Sequence, residues 1–96
     1  MKMLFEWDSD KAQINITKHG ITFQEASTAF GDPFSITIPD PDHSEDEQRL
    51  LLMGRSSENR LMVVSFTDRD PKTRIISARK ATTNERRKYE KSPKED

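Results

Sequence analysis

Arg49, Arg55, Arg60, Arg74, Arg79, Arg86 and Arg87 crowd the second half of the chain. Each guanidinium is permanently charged and presents a planar fork of donors that matches a phosphate. Breaking a phosphodiester builds negative charge on the phosphorus oxygens, and fixed guanidinium groups stabilise that charge. The run Arg74-Ile75-Ile76-Ser77-Ala78-Arg79 reads as a strand that leads into a basic helix, Thr82 to Lys91. A strand and the helix after it can hold such forks in place, which makes the chain a candidate for handling RNA. Spacing sets a limit. Arg74 and Arg79 are five apart, so an unbroken strand points them to opposite faces, unless Arg79 lies at the strand end where the chain turns toward the helix. For any single arginine the plain alternative is a solvated surface charge.

A second group is His43-Ser44-x-x-Glu47-x-Arg49. Glu47 and Arg49 share a face if a strand reaches that far. Histidine exchanges a proton near neutral pH. The three together could serve acid–base cleavage through the RNA 2′-OH. The alternative is a turn in which His43 and Ser44 cap backbone groups while Glu47 and Arg49 form a surface pair. A third group, Lys18-His19-Gly20, is explained physically as a helix C-terminus. Trp7 reads as a core anchor. Tyr89 is open between contacting a phosphate or base and closing the last helix onto a sheet. The chain has no Gly-rich phosphate loop and no carboxylate spacing suited to a metal. It has no cysteine. Any activity is therefore expected to need neither metal nor cofactor.

These residues need elements to position them. Residues 2–6 read as a short strand, and Asp8 as the N-cap of a helix from Ser9 to Lys18. Its apolar stripe would be Ala12, Ile16 and His19, with Asn15 beside it and Gly20 as a left-handed cap. Thr22-Phe23-Gln24-Glu25 reads as a capping box, with Glu25 reaching back, for a helix to Phe30; Ile21 could staple against Ala26. Phe34–Ile38 alternates as a strand, and an acidic loop follows over 39–47. Gln48–Gly54, the apolar Arg60–Thr67 and Lys72–Arg79 are three further strands. The apolar run suggests a central strand buried on both faces. Turns are expected at Ser56–Asn59 and Asp68–Pro71. Thr82-x-x-Glu85 offers another capping box. Short turns imply an antiparallel meander, with the two early helices on one face: a two-layer α+β domain over residues 1–91, with a frayed polar tail over 92–96.

Composition agrees with one small domain of 96 residues. Only 31% of residues are hydrophobic and 34% are charged, so the core is expected to be thin and a partner subunit could add stability. The net charge of −1 conceals an asymmetry: residues 1–48 carry 3 Lys/Arg against 10 Asp/Glu, and residues 49–96 carry 13 against 7. That imbalance hints at a polyanion partner, or is simply a dipolar surface. Met1–Trp7 is too short and too polar at its end for a signal peptide, and no apolar run approaches a membrane span.

One family shares these motifs in this order. Phe5-Glu6-Trp7-Asp8, then Lys11, Asn15 and Lys18-His19-Gly20-Ile21-x-Phe23-x-Glu25-Ala26 open the pattern. Phe30-x-Asp32-Pro33, Asp42-x-Ser44-x-x-Glu47-x-Arg49, Gly54-x-Ser56 and Arg60 continue it. Arg74-Ile75-Ile76-Ser77-Ala78-Arg79-x-Ala81-x-x-x-Glu85-x-x-x-Tyr89 closes it. The chain resembles the BrnT toxins of bacterial type II toxin–antitoxin systems from about residue 4 to residue 90. The resemblance implies a RelE-like fold, an N-terminal strand and two helices packed on a twisted antiparallel sheet. It implies a cytoplasmic endoribonuclease that arrests translation. It also implies a BrnA-like ribbon-helix-helix antitoxin, in a 2:2 complex that meets operator DNA only through the antitoxin. By position in RelE-like nucleases, Arg49, Arg74, Arg79 and Tyr89 are the expected catalytic residues, with His43 and Glu47 as proton carriers. A non-catalytic module that binds RNA, the ribosome or a partner is the alternative.

Overall fold

Helix signals in the first third of the chain are local, and the structure follows them closely. In the computed structural model, which describes residues 3–42 and 48–91, β1 spans Leu4–Glu6 and α1 spans Ser9–His19. The Asp8 carboxylate accepts from the Lys11 N–H at 2.9 Å, and Gly20 caps the far end with φ 69° while its N–H donates to Ile16 O. α2 spans Phe23–Thr28 and tightens into one 3-10 turn, Ala29–Gly31. Then come β2 (Ile36–Pro39), β3 (Arg49–Arg55), β4 (Leu61–Arg69), β5 (Lys72–Lys80) and α3 (Thr83–Lys91). Among the described residues, no helix is long and apolar enough to cross a membrane.

The sheet order is β1-β5-β4-β3-β2. β2 to β5 form the expected antiparallel meander, and β4 lies at its centre with Leu61–Thr67 all buried. β1 does not pack on the sheet as a separate piece. It joins the edge parallel to β5, pairing Leu4, Phe5 and Glu6 with Lys72, Thr73 and Arg74. The sheet is therefore mixed. β4 runs to Arg69, so the expected turn contracts to Asp70 and Pro71.

The core lies between one sheet face and the first two helices. Ile21, Phe23, Ala26 and Ala29 pack on Leu52, Met62, Val64, Phe66, Ile75 and Ala78, with Trp7 edge-on to Phe23. Gly54 is needed here, because a Cβ would lie 2.9 Å from Ala29 O. Two local expectations change. The inward stripe of α1 runs through Asn15, which is buried, while Ile16 is 40% exposed. Thr22 does cap α2 by accepting from the Glu25 N–H, but the Glu25 carboxylate does not reach back. It accepts from Ser56 Oγ at 2.7 Å and from the Arg60 guanidinium. A tertiary charge-assisted pair outcompetes the local one, because it also satisfies a buried hydroxyl and ties α2 to the β3–β4 turn. That guanidinium holds Glu25 below the usual carboxylate range, against the opposing effect of burial.

Candidate active site

The face of the sheet opposite the first two helices is set by an irregularity in β5. Ser77 pairs with Ser65 and Ile75 pairs with Phe66, so Ile76 is an extra residue with no partner of its own on β4. One extra residue reverses side-chain parity beyond it. Ile75 and Ala78, three apart, both face the core. Arg74 lies opposite Thr67, Ser77 opposite Ser65 and Arg79 opposite Val63, all on the other face. Arg74 and Arg79 thus share one face, contrary to the parity of an unbroken strand.

β3 adds Arg49, which pairs with Thr67. One row across the open face reads Glu6, Arg74, Thr67, Arg49. Strand spacing puts Arg74 and Arg49 roughly 10 Å apart, flanking Thr67, and Arg79 lies roughly 13 Å along from Arg74. Such a line suits successive phosphates of a chain better than a single point. The rows beyond turn apolar, through Leu51 and Ile38 and then Val63, Met53 and Ile36, and with Glu85 and Lys88 of α3 they line a groove.

Two of the three arginines already have carboxylate partners. Arg74 Nη1 donates to Glu6 Oε2 at 3.3 Å. Arg79 grips Glu85 with two nitrogens, at 2.8 and 2.9 Å. Glu85 also accepts from the Thr82 N–H at 2.9 Å, while its own N–H donates to Thr82 Oγ1, so this capping box is complete. The Arg79 fork, then the Thr82 contacts, bring the Glu85 carboxyl down to about 2 despite partial burial. Arg79 is raised in return. Among the described residues Arg49 has no ion pair.

Tyr89 is buried, and its hydroxyl donates to Asp32 Oδ2 at 2.6 Å. Burial, then the Asp32 carboxylate, push its phenol up to about 12, so it stays protonated under ordinary conditions. Arg55 lies 5.6 Å from its ring centre, and the Arg55 N–H also binds Asp32. In this state Tyr89 fastens α3 to the sheet. Arg60 is on the helix side with Glu25, and Arg86 and Arg87 are exposed on α3. His43 and Glu47 lie outside the described residues. Among the described residues no three His, Asp or Glu side chains converge as metal ligands. Glu85 and Glu6 escaped the sequence reading as site residues. The signals for Glu85 were its place in a capping box six residues after Arg79 and in the closing motif of the family pattern.

The comparisons bear on the fold and the family. Residues 7–85 match the family model described as ribonuclease toxin, BrnT, of type II toxin–antitoxin system. The crystal structure of the Brucella abortus ribonuclease toxin BrnT is 25% identical and superposes with a TM-score of 0.66. The match covers 85% of this chain and 100% of that one. No curated protein matches significantly. With the family model spanning most of its length, this chain belongs to the BrnT ribonuclease toxins of type II toxin–antitoxin systems.

Proposed function

We propose that the chain is an endoribonuclease that cuts RNA without a metal ion and thereby arrests translation in the cytoplasm. The observation that carries this reading is the β5 bulge, which puts Arg74 and Arg79 on the same open face as Arg49. In the reaction the 2′-oxygen attacks the adjacent phosphorus and loses its proton. The bond to the 5′-oxygen breaks, that oxygen gains a proton, and a cyclic phosphate remains. Arg49, Arg74 and Arg79 hold successive phosphates of the strand, and the guanidinium at the scissile one stabilises its oxygens as charge develops. His43 and Glu47 carry the protons, and Tyr89 sets α3 against the face. Because Glu85 and Glu6 occupy Arg79 and Arg74, substrate phosphate must share or displace them. The neutralising partner is an antitoxin of the BrnA type, a ribbon-helix-helix dimer in a 2:2 complex that alone contacts operator DNA.

Those occupied forks favour one alternative, a module that binds RNA or the ribosome without cutting. Purified protein incubated with total RNA in excess EDTA separates the two, beside an Arg74→Ala/Arg79→Ala variant of matched circular dichroism. Loss of RNA with the parent and not the variant is expected. Intact RNA with both leaves the binding module, or a nuclease confined to the ribosome.

A further inference from the structure

β1 pairs with β5 only at Lys72–Arg74, so the outer edge of β5 lies open from Ile75 onward. α1 covers that edge, with Asn15 standing in for the missing strand. Its amide donates to Ala78 O at 2.9 Å and accepts from Ala78 N at 3.0 Å. Beside this seam is a cleft of about 150 Å³ lined by Lys11, Lys18, His19 and Ser77, with Ile14 and Ile76. Positions 11, 14, 15 and 18 fall on one face of α1 by helical spacing.

No carboxylate lines the cleft. Among the described residues, the side chains of Lys11, Lys18, His19 and Ser77 make no ion pair and no hydrogen bond. Elsewhere Arg60, Arg69, Arg74 and Arg79 have carboxylate partners, while Arg49, Arg86 and Arg87 have none among the described residues. Four unpaired donors around one recess that no carboxylate lines make a place suited to an anion. Ser77 fixes where the recess opens: it stands on the open face in the row between Arg74 and Arg79. The negative end of α1 would oppose an anion here. At that end the Ile16 carbonyl accepts from the Gly20 N–H at 2.8 Å, and just past the helix Arg60 donates to Gly20 O at 3.3 Å and Asn15 to Ile21 O at 2.9 Å.

We propose that this cleft is a second phosphate subsite of the same RNA-cutting face, a reading that rests on the ribonuclease function proposed above. A single strand crossing the open face over Ser77 places a neighbouring backbone phosphate between Lys11 and Lys18, with His19 and the Ser77 hydroxyl donating to it. Lysine ammonium groups meet phosphate as point charges, so the subsite adds affinity and register without reading bases. The helix end that the Lys18-His19-Gly20 sequence builds would then also bind substrate.

The test uses a single-stranded RNA whose 2′-hydroxyls are all methylated, so that it binds without being cut, and fluorescence anisotropy at fixed salt. Lys11→Gln/Lys18→Gln is expected to weaken binding about tenfold, as losing phosphate contacts does. Lys80→Gln/Lys91→Gln removes equal charge from exposed positions outside the cleft, and should change binding less than about twofold. Initial cleavage of unmodified RNA should show the cleft variant's loss in KM, with kcat close to the parent's. Equal affinity of cleft variant and parent, or an equal loss in the control pair, would overturn the subsite while leaving a parent that cuts RNA intact. A parent that neither binds nor cuts free RNA overturns the subsite, together with the reading of the chain as a nuclease that acts on free RNA.

Discussion

Asn15 shows how much one side chain can decide. Four residues of apolar spacing suggest Ile16 as the inward member of α1, yet burial goes to the amide. The reason is the free edge of β5. Ala78 presents both an N–H and a C=O with no strand beside them, and burying these unpaired is costly. An asparagine supplies one acceptor and two donors, and all three are used: by Ala78 N–H, Ala78 O and Ile21 O. Periodicity cannot reveal this, because the demand comes from a strand 63 residues away. Asn15→Ala should cost about 2–4 kcal/mol in urea unfolding, the penalty for orphaning buried polar groups. Asn15→Asp should cost more, since it sets a carboxylate against two carbonyl oxygens. A loss below about 0.5 kcal/mol for Asn15→Ala would mean that water replaces the amide.

Elements were legible wherever their signals were local. Asp8, Gly20, Thr22 and the Thr82–Glu85 box lie within one turn of the groups they satisfy, and all cap their helices as expected. The bulge at Ile76 was not legible, for it carries no glycine and its cause lies in pairing with β4. Its consequence is the candidate site itself, since without the extra residue Arg79 would face the core side. α3 closes over that face through two titratable contacts, Glu85 on Arg79 and Tyr89 on Asp32. Glu85 sits at about 2 rather than the ordinary 4.5, so its stabilisation is full above about 4.5 and fades as pH falls toward 2. Tyr89 sits at about 12 rather than 10, so its stabilisation is full below 10 and fades as pH rises through 12. Between these limits α3 should stay docked. Comparing urea midpoints at pH 7 and pH 3, Glu85→Gln should lose about 1 kcal/mol less than the parent, after allowance for solvent screening. Tyr89→Phe should flatten the decline above pH 10. Acid slopes that coincide for parent and Glu85→Gln would show that the Arg79 pair contributes nothing to docking.

At the scale of the whole molecule, net charge misleads. A chain of net −1 should be indifferent to RNA. The fold separates what the total cancels: α1 and α2 come from the acidic half, while Arg49, Arg74 and Arg79 of the open face come from the basic half. Polyanion binding responds to the local face, through release of counterions from the phosphates it neutralises. Glu6 and Glu85 complicate this, because an arginine that keeps its carboxylate releases less. If all three arginines take phosphates, the logarithm of affinity for single-stranded RNA, measured in the Lys11→Gln/Lys18→Gln variant so that the cleft adds nothing, should fall against the logarithm of salt with a slope of about −2. That amounts to a roughly twentyfold loss between 50 and 200 mM. A slope closer to −0.7 would mean that only one arginine, Arg49 by its lack of a described partner, meets the backbone while Glu6 and Glu85 hold the others. Removing Glu85 as Glu85→Gln should then steepen the slope toward the three-arginine value. An unchanged slope in that variant would place Arg79 outside the phosphate path and confine binding to the row of Arg74, Thr67 and Arg49.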